Sequence, residues 1–152
     1  MRLNRRTTGV RHLSLVSGGL LLGISALTVL LFAQARFREW KRLSDAPILS
    51  PTGDGWQSAG AFNPAVMVRD GKFVMLYRAQ DAAGTSRLGY AESVDGIHFT
   101  RRSEPVLVPA ADYEKDGGVE DPRLVEIGDT YYLTYTGYNK KDAQLCLAES
   151  KD

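Results

Sequence analysis

Cysteine is almost absent, with Cys146 standing alone among 152 residues. That excludes a disulfide framework within the chain and any multi-cysteine metal site. Cys146 itself reads as a small apolar filler in a strand. Histidine is nearly as scarce, with His12 in the N-terminal tail and His98 alone on a later strand. Neither offers a metal site, and no metal is expected. A Gly-rich phosphate loop and a Ser/His/Asp spacing are lacking as well. So is a large excess of either charge: 19 Lys and Arg face 18 Asp and Glu, for a formal net charge of +1. Residues 1–35 hold four Arg and no acid, which leaves 15 basic against 18 acidic groups in the rest. A body with a slight acidic excess lacks the basic footprint of a nucleic-acid binder.

Charge is missing altogether from residues 13–35, LSLVSGGLLLGISALTVLLFAQA. As a helix this run would be about 34 Å long, enough to cross a hydrocarbon core. It reads as one N-terminal transmembrane helix behind a basic tail, residues 1–12. A signal peptide is the alternative, because Ala33-Gln34-Ala35 forms an A-x-A cleavage site. Four Arg precede the run, and Arg36, Arg38, Lys41 and Arg42 follow it, so the positive-inside rule is close to a tie. Glu39 and the α-amino group break it toward a body outside the cytoplasm, either membrane-anchored or secreted after cleavage near Ala35. Residues 36–60 carry Pro47, Pro51, Gly53, Gly55 and Gly60, and read as a linker leading to the first strand.

From residue 61 the texture changes to short strands and turns. AVMVR (65–69) meets KFVMLYR (72–78) across Asp70-Gly71, a strong two-residue hairpin signal. RLGYAES (87–93) and HFTR (98–101) follow as third and fourth strands of an antiparallel meander. The pattern then returns. A shift of 58 residues lays Pro64 on Pro122, Met75 on Leu133 and Tyr77 on Tyr135. A shift of 57 lays Leu88 on Leu145, Ala91 on Ala148 and Asp95 on Asp152. Repeated four-stranded units are the sequence signature of a β-propeller. Strands such as KFVMLYR and TYYLTYT are apolar on both alternate faces, as a blade packed between two neighbours requires. A two-sheet sandwich is the plainer alternative. The second unit stops after its third strand, while a propeller needs at least about four blades. The expectation is therefore an all-β chain with about two blades of a longer protein, or a truncated product with open apolar faces.

Asn63 and Asp121 occupy the same place in successive units, each before a Pro. In a propeller, corresponding positions ring one mouth of the central channel. Taken alone, Asp121 could equally be a strand-initiating residue bonding its own turn. Arg78 could be a charged strand end reaching solvent, and Tyr135 reads as core. His98 reads as a rim residue of its blade.

FNPAVMVRDGKFVMLYRA (62–79), LGYAESVDGIHF (88–99) and GGVEDPRLVEIGDTYYLTYTGYN (117–139) together resemble the first part of glycoside hydrolase family 130. That family holds β-mannoside phosphorylases and β-mannosidases on a five-bladed propeller, and the resemblance covers residues 46–152. It implies that residues 61–152 are an incomplete glycosidase propeller acting on an oligosaccharide or glycan that contains β-mannose. It also implies roles. Asp121 matches the general acid, and Asn63 and Arg78 match residues that hold the sugar. Glu120 and Arg123 flank the acid and orient it or bind the sugar. Cleavage in the family is inverting. The acid delivers its proton through a substrate hydroxyl, and phosphate or water attacks the anomeric carbon. No cofactor is implied; inorganic phosphate would be a co-substrate of a phosphorylase. The phosphate-binding residues come from later blades, so phosphorolysis and hydrolysis both stay open, with an extracytoplasmic location leaning toward hydrolysis. A glycan-binding module without catalysis, or a non-functional truncated product, are the competing readings.

A general acid needs a pKa raised toward working pH by burial or an acidic neighbour such as Glu120. Arg123 would oppose this if its charge pointed at Asp121.

Overall fold

A computed structural model of the chain describes residues 39–152. The chain divides into two parts, Met1–Arg42 and Leu43–Asp152. Of the first, residues 39–42 are described and form no regular element. The expected membrane segment, residues 13–35, lies outside the described residues. Among those described, no helix is long and apolar enough to cross a membrane.

The second part is all-β. Its strands are β1 (Gly60–Arg69), β2 (Lys72–Gln80), β3 (Ser86–Ser93), β4 (Thr100–Arg101), β5 (Gly118–Ile127), β6 (Thr130–Tyr138) and β7 (Ala143–Ser150). A three-residue 3-10 turn, Asp112–Glu114, precedes β5. The strands pair in the order β1-β2-β3-β5-β6-β7, with β4 beside β3. All neighbours are antiparallel except β3 and β5, which share a single parallel pair, Ser86 with Gly118. In the strand ladder the two meanders, β1–β4 and β5–β7, are thus joined by one residue pair. They are the two repeat units.

The Asp70-Gly71 hairpin forms as expected. Both residues have positive φ, 50° and 74°, the backbone that a type I′ turn demands. β1 reaches further back than the hydrophobic run suggests, because a bulge between Phe62 and Ala65 lets the ladder continue past Pro64. β4 is shorter than HFTR. The Asp95 carboxylate accepts from the backbone N–H of Ile97 (2.9 Å) and His98 (2.8 Å), and those donors are lost to the ladder.

Two apolar clusters hold the units. Met75, Tyr77, Ala79 and Ala91 form the first, with Leu49, Trp56, Ala61 and Phe99 packed against it. Leu49 and Trp56 belong to the segment before β1, which lies on one face of the first unit. Gln57 ties it down, accepting from Tyr77 Oη at 2.8 Å and Arg101 Nη1 at 2.9 Å. The second cluster is Leu88, Val119 and Tyr135, with Leu107, Leu133, Cys146 and Ala148 beside it. Leu88 comes from the first unit and the rest of that trio from the second, so this core is the interface between them. Tyr135 is core, as its sequence context suggested. Its hydroxyl donates to the buried Glu114 carboxylate at 2.8 Å.

Candidate active site

The two bulges decide where the polar residues point. The second lies between Glu120 and Arg123, the counterpart of Phe62 to Ala65 under the 58-residue shift. Asn63 has φ 47° and Asp121 has φ 52°. Asn and Asp are the side-chain-bearing residues that adopt this left-handed backbone most readily. A bulge re-aims the residue it contains. Here it turns one polar side chain from each unit toward the other: Asn63 Nδ2 donates to Asp121 Oδ1 at 2.6 Å. Asp121 therefore sits inside β5, not ahead of it.

Arg78, near the end of β2, completes the cluster. Its Nη1 donates to Asp121 Oδ1 at 3.3 Å and its Nη2 to Glu120 Oε1 at 2.6 Å. Its Nε donates to Ser86 Oγ at 3.0 Å, and the Phe62 ring lies 5.0 Å from the guanidinium carbon. Ser86 Oγ in turn donates to Glu120 Oε1 at 3.1 Å. The Arg78 side chain is 18% exposed and that of Asp121 34%. A guanidinium this enclosed is a fixed part of the site, while Asp121 stays within reach of a ligand. Both side-chain hydrogen bonds to Asp121 fall on Oδ1.

The Glu120 carboxyl is pushed above its usual range. Burial is the main cause, opposed by Arg78 and by the Ser86 hydrogen bond, with the neighbouring charge of Asp121 adding to the rise. Arg123 does not point at the Asp121 carboxylate. Its Nη1 donates to the backbone carbonyls of Asp121 (3.1 Å) and Pro122 (2.9 Å) and so braces the bulge. The structure therefore brings Asn63, Arg78, Glu120 and Asp121 together side chain to side chain, and Arg123 joins through the backbone. Ser86 was missed, since a serine opening a strand carries no signal of its own. The nearest hint is Gly117-Gly118, a pair that marks close backbone approach. His98 lies elsewhere, paired with Asp95 at 2.6 Å in the turn before β4.

The family model for glycoside hydrolase family 130, described as beta-1,4-mannooligosaccharide phosphorylase, matches residues 41–152. A 1,2-beta-oligomannan phosphorylase from a Thermoanaerobacter species is 42% identical over 123 residues, which is 74% of this chain and 41% of the relative. A beta-1,2-mannobiose phosphorylase from the same source is 38% identical over 128 residues, covering 73% of this chain and 42% of the relative. Among solved structures, one described with the family's glycoside hydrolases that target beta-1,2 mannosidic linkages in Candida mannan superposes with a TM-score of 0.68. It is 38% identical, over 74% of this chain and 38% of the other. The chain thus spans about two fifths of the length of the curated relatives it matches. With the family model matching residues 41–152, most of its length, this chain belongs to glycoside hydrolase family 130.

Proposed function

We propose that the two repeat units are blades of a five-bladed β-propeller enzyme that cleaves β-mannosides with inversion, by phosphorolysis or hydrolysis. The observation that carries this reading is the Asp121 carboxylate, gripped at Oδ1 by Asn63 and Arg78 from the other unit and still partly exposed. Breaking a glycosidic bond requires a proton on the leaving oxygen while positive charge grows on the sugar. Asp121 is the donor of that proton, through a substrate hydroxyl. Arg78 and Asn63 fix its carboxylate and line the place of the cleaved sugar, and Arg123 stiffens the bulge beneath it. The remaining blades would complete the channel and supply the groups that hold phosphate or activate water.

The names of the two curated relatives favour β-1,2-linked mannosides. The uncharged run at residues 13–35 supports tethering to a membrane, with the propeller outside the cytoplasm. The test is incubation of the full-length protein with β-1,2-mannobiose, with and without inorganic phosphate. Phosphate-dependent release of mannose 1-phosphate identifies a phosphorylase, and release of mannose alone a hydrolase. No turnover under either condition, with the protein folded, would remove the enzymatic reading.

A further inference from the structure

Ser86 opens β3 and is completely buried. Its backbone N–H donates to the Gly117 carbonyl at 2.8 Å, and it faces Gly118 in the single parallel pair between the units. Gly118 has φ +102°, and a Cβ there would overlap the Ser86 carbonyl oxygen. The two backbones touch, so Ser86 cannot shift without parting the units.

Its hydroxyl lies at the centre of the charged cluster. A serine has one proton to donate and two lone pairs to accept with. The proton goes to Glu120 Oε1, and the lone pairs receive Arg78 Nε at 3.0 Å and Gln80 Nε2 at 3.5 Å. The guanidinium is planar and rigid, so holding Nε on Ser86 and Nη2 on Glu120 fixes its whole plane. The direction of Nη1 toward Asp121 is then no longer free. The Phe62 ring lies against the guanidinium, 5.0 Å from its central carbon.

We propose that Ser86 is a positioning residue: it locks the Arg78 plane and the Glu120 carboxylate against each other, and thereby aims the donor Asp121 without touching the sugar. The inference rests on the reading of Asp121 as proton donor. The groups facing Glu120 are Arg78 from β2, Ser86 from β3 and Asp121 from its own strand, with uncharged Thr136 opposite it on β6.

Two measurements on the full-length protein test it, with Ser86→Ala and the size-matched Ser86→Cys. The first is NMR exchange of the Arg78 Nε–H, assigned by its loss in Arg78→Lys. Wild type should show a protected signal, Ser86→Ala should exchange at least about tenfold faster, as expected for one lost hydrogen bond, and Ser86→Cys should fall between. The second is the pH–rate profile on β-1,2-mannobiose. Ser86→Ala should lower kcat about tenfold with KM within about twofold, and move the acid limb to higher pH, because the Glu120 carboxylate loses a donor. Unchanged exchange, or a rate loss matched by a fall in folded protein with the acid limb in place, overturns the proposal. Should wild type cleave no mannoside, the donor reading fails, and the exchange measurement alone decides whether Ser86 locks Arg78.

Discussion

Asn63 and Asp121 stand 58 residues apart and meet at 2.6 Å, each in a left-handed bulge of the first strand of its own unit. The same backbone device has been used twice, with different side chains. One copy presents an amide that can only position. The other presents a carboxyl group, the side chain proposed above as the proton donor.

That division of labour makes Asp121→Asn the sharpest test. The amide keeps the size and the left-handed tolerance of the original but cannot act as a general acid. In the full-length protein, kcat on β-1,2-mannobiose should fall by about 10² to 10⁴, the usual contribution of a general acid. Binding of mannobiose, followed by calorimetry, should change little. A variant that turned over at the wild-type rate would show that another group delivers the proton.

The bulge at Asn63 separates side-chain from backbone effects. Asn63→Gly keeps the positive φ at no steric cost and removes the hydrogen bond to Asp121 together with any contact of the amide to the sugar. Asn63→Ala removes the same bond and adds left-handed strain of about 1–2 kcal/mol. Both should lose activity to a similar degree, while thermal melting should place the alanine variant below the glycine one. Equal melting temperatures would mean that the strand relaxes out of the bulge.

Much of this arrangement is legible in the sequence. The 58-residue shift aligned the two bulges because Asn-Pro and Asp-Pro mark the same break in pattern. Asp70-Gly71 announced its hairpin, and Tyr135 its place in the core. What stayed hidden depends on contacts between units. Ser86 is an ordinary hydroxyl until Gly118 brings β5 against it. Arg123 reads as a charge beside the acid, and only the fold turns it onto backbone carbonyls. Leu49 and Trp56 sit in a stretch broken by Pro and Gly, where no periodicity tells that they cover Met75 and Tyr77.

Glu120 should give stability and activity opposite slopes with pH. Its folded pKa lies above the ordinary value near 4.5, chiefly through burial. The folded state therefore binds this proton more tightly than the unfolded chain. The resulting stability is present below the ordinary value and is lost as pH rises through the raised one. Activity runs the other way, since the ionised carboxylate best holds Arg78 and Ser86 together. Across that window kcat/KM should rise while the denaturation midpoint drops, and Glu120→Gln should abolish both slopes. Parallel slopes in wild type would exclude Glu120 as the titrating group.

Gly118 predicts how firmly the units are joined. Alanine there meets two obstacles, a φ of +102° and the carbonyl of Ser86. Neither the backbone nor the facing strand can give way without breaking the parallel bridge, so Gly118→Ala should cost more than about 2 kcal/mol in urea unfolding. Gly53 and Gly71, also at positive φ, have open space around them. Gly71→Ala should therefore pay strain alone, and a smaller penalty at Gly118 than at Gly71 would show that the units separate easily.

β7 forms one end of the strand order, with β6 on one side only. Its Leu145 and Leu147 are 83% and 66% exposed. An apolar edge strand is a template for pairing with another chain. Residues 43–152 expressed alone should consequently self-associate at micromolar concentration. Lys at both positions should suppress this by placing charge on the edge, without disturbing Cys146 and Ala148, which face the core between the units. Analytical ultracentrifugation of the two forms is the measurement. A monodisperse monomer from the unmodified segment would mean that the exposed leucines do not seek a partner, and it would weaken the view that this face is built to receive another blade.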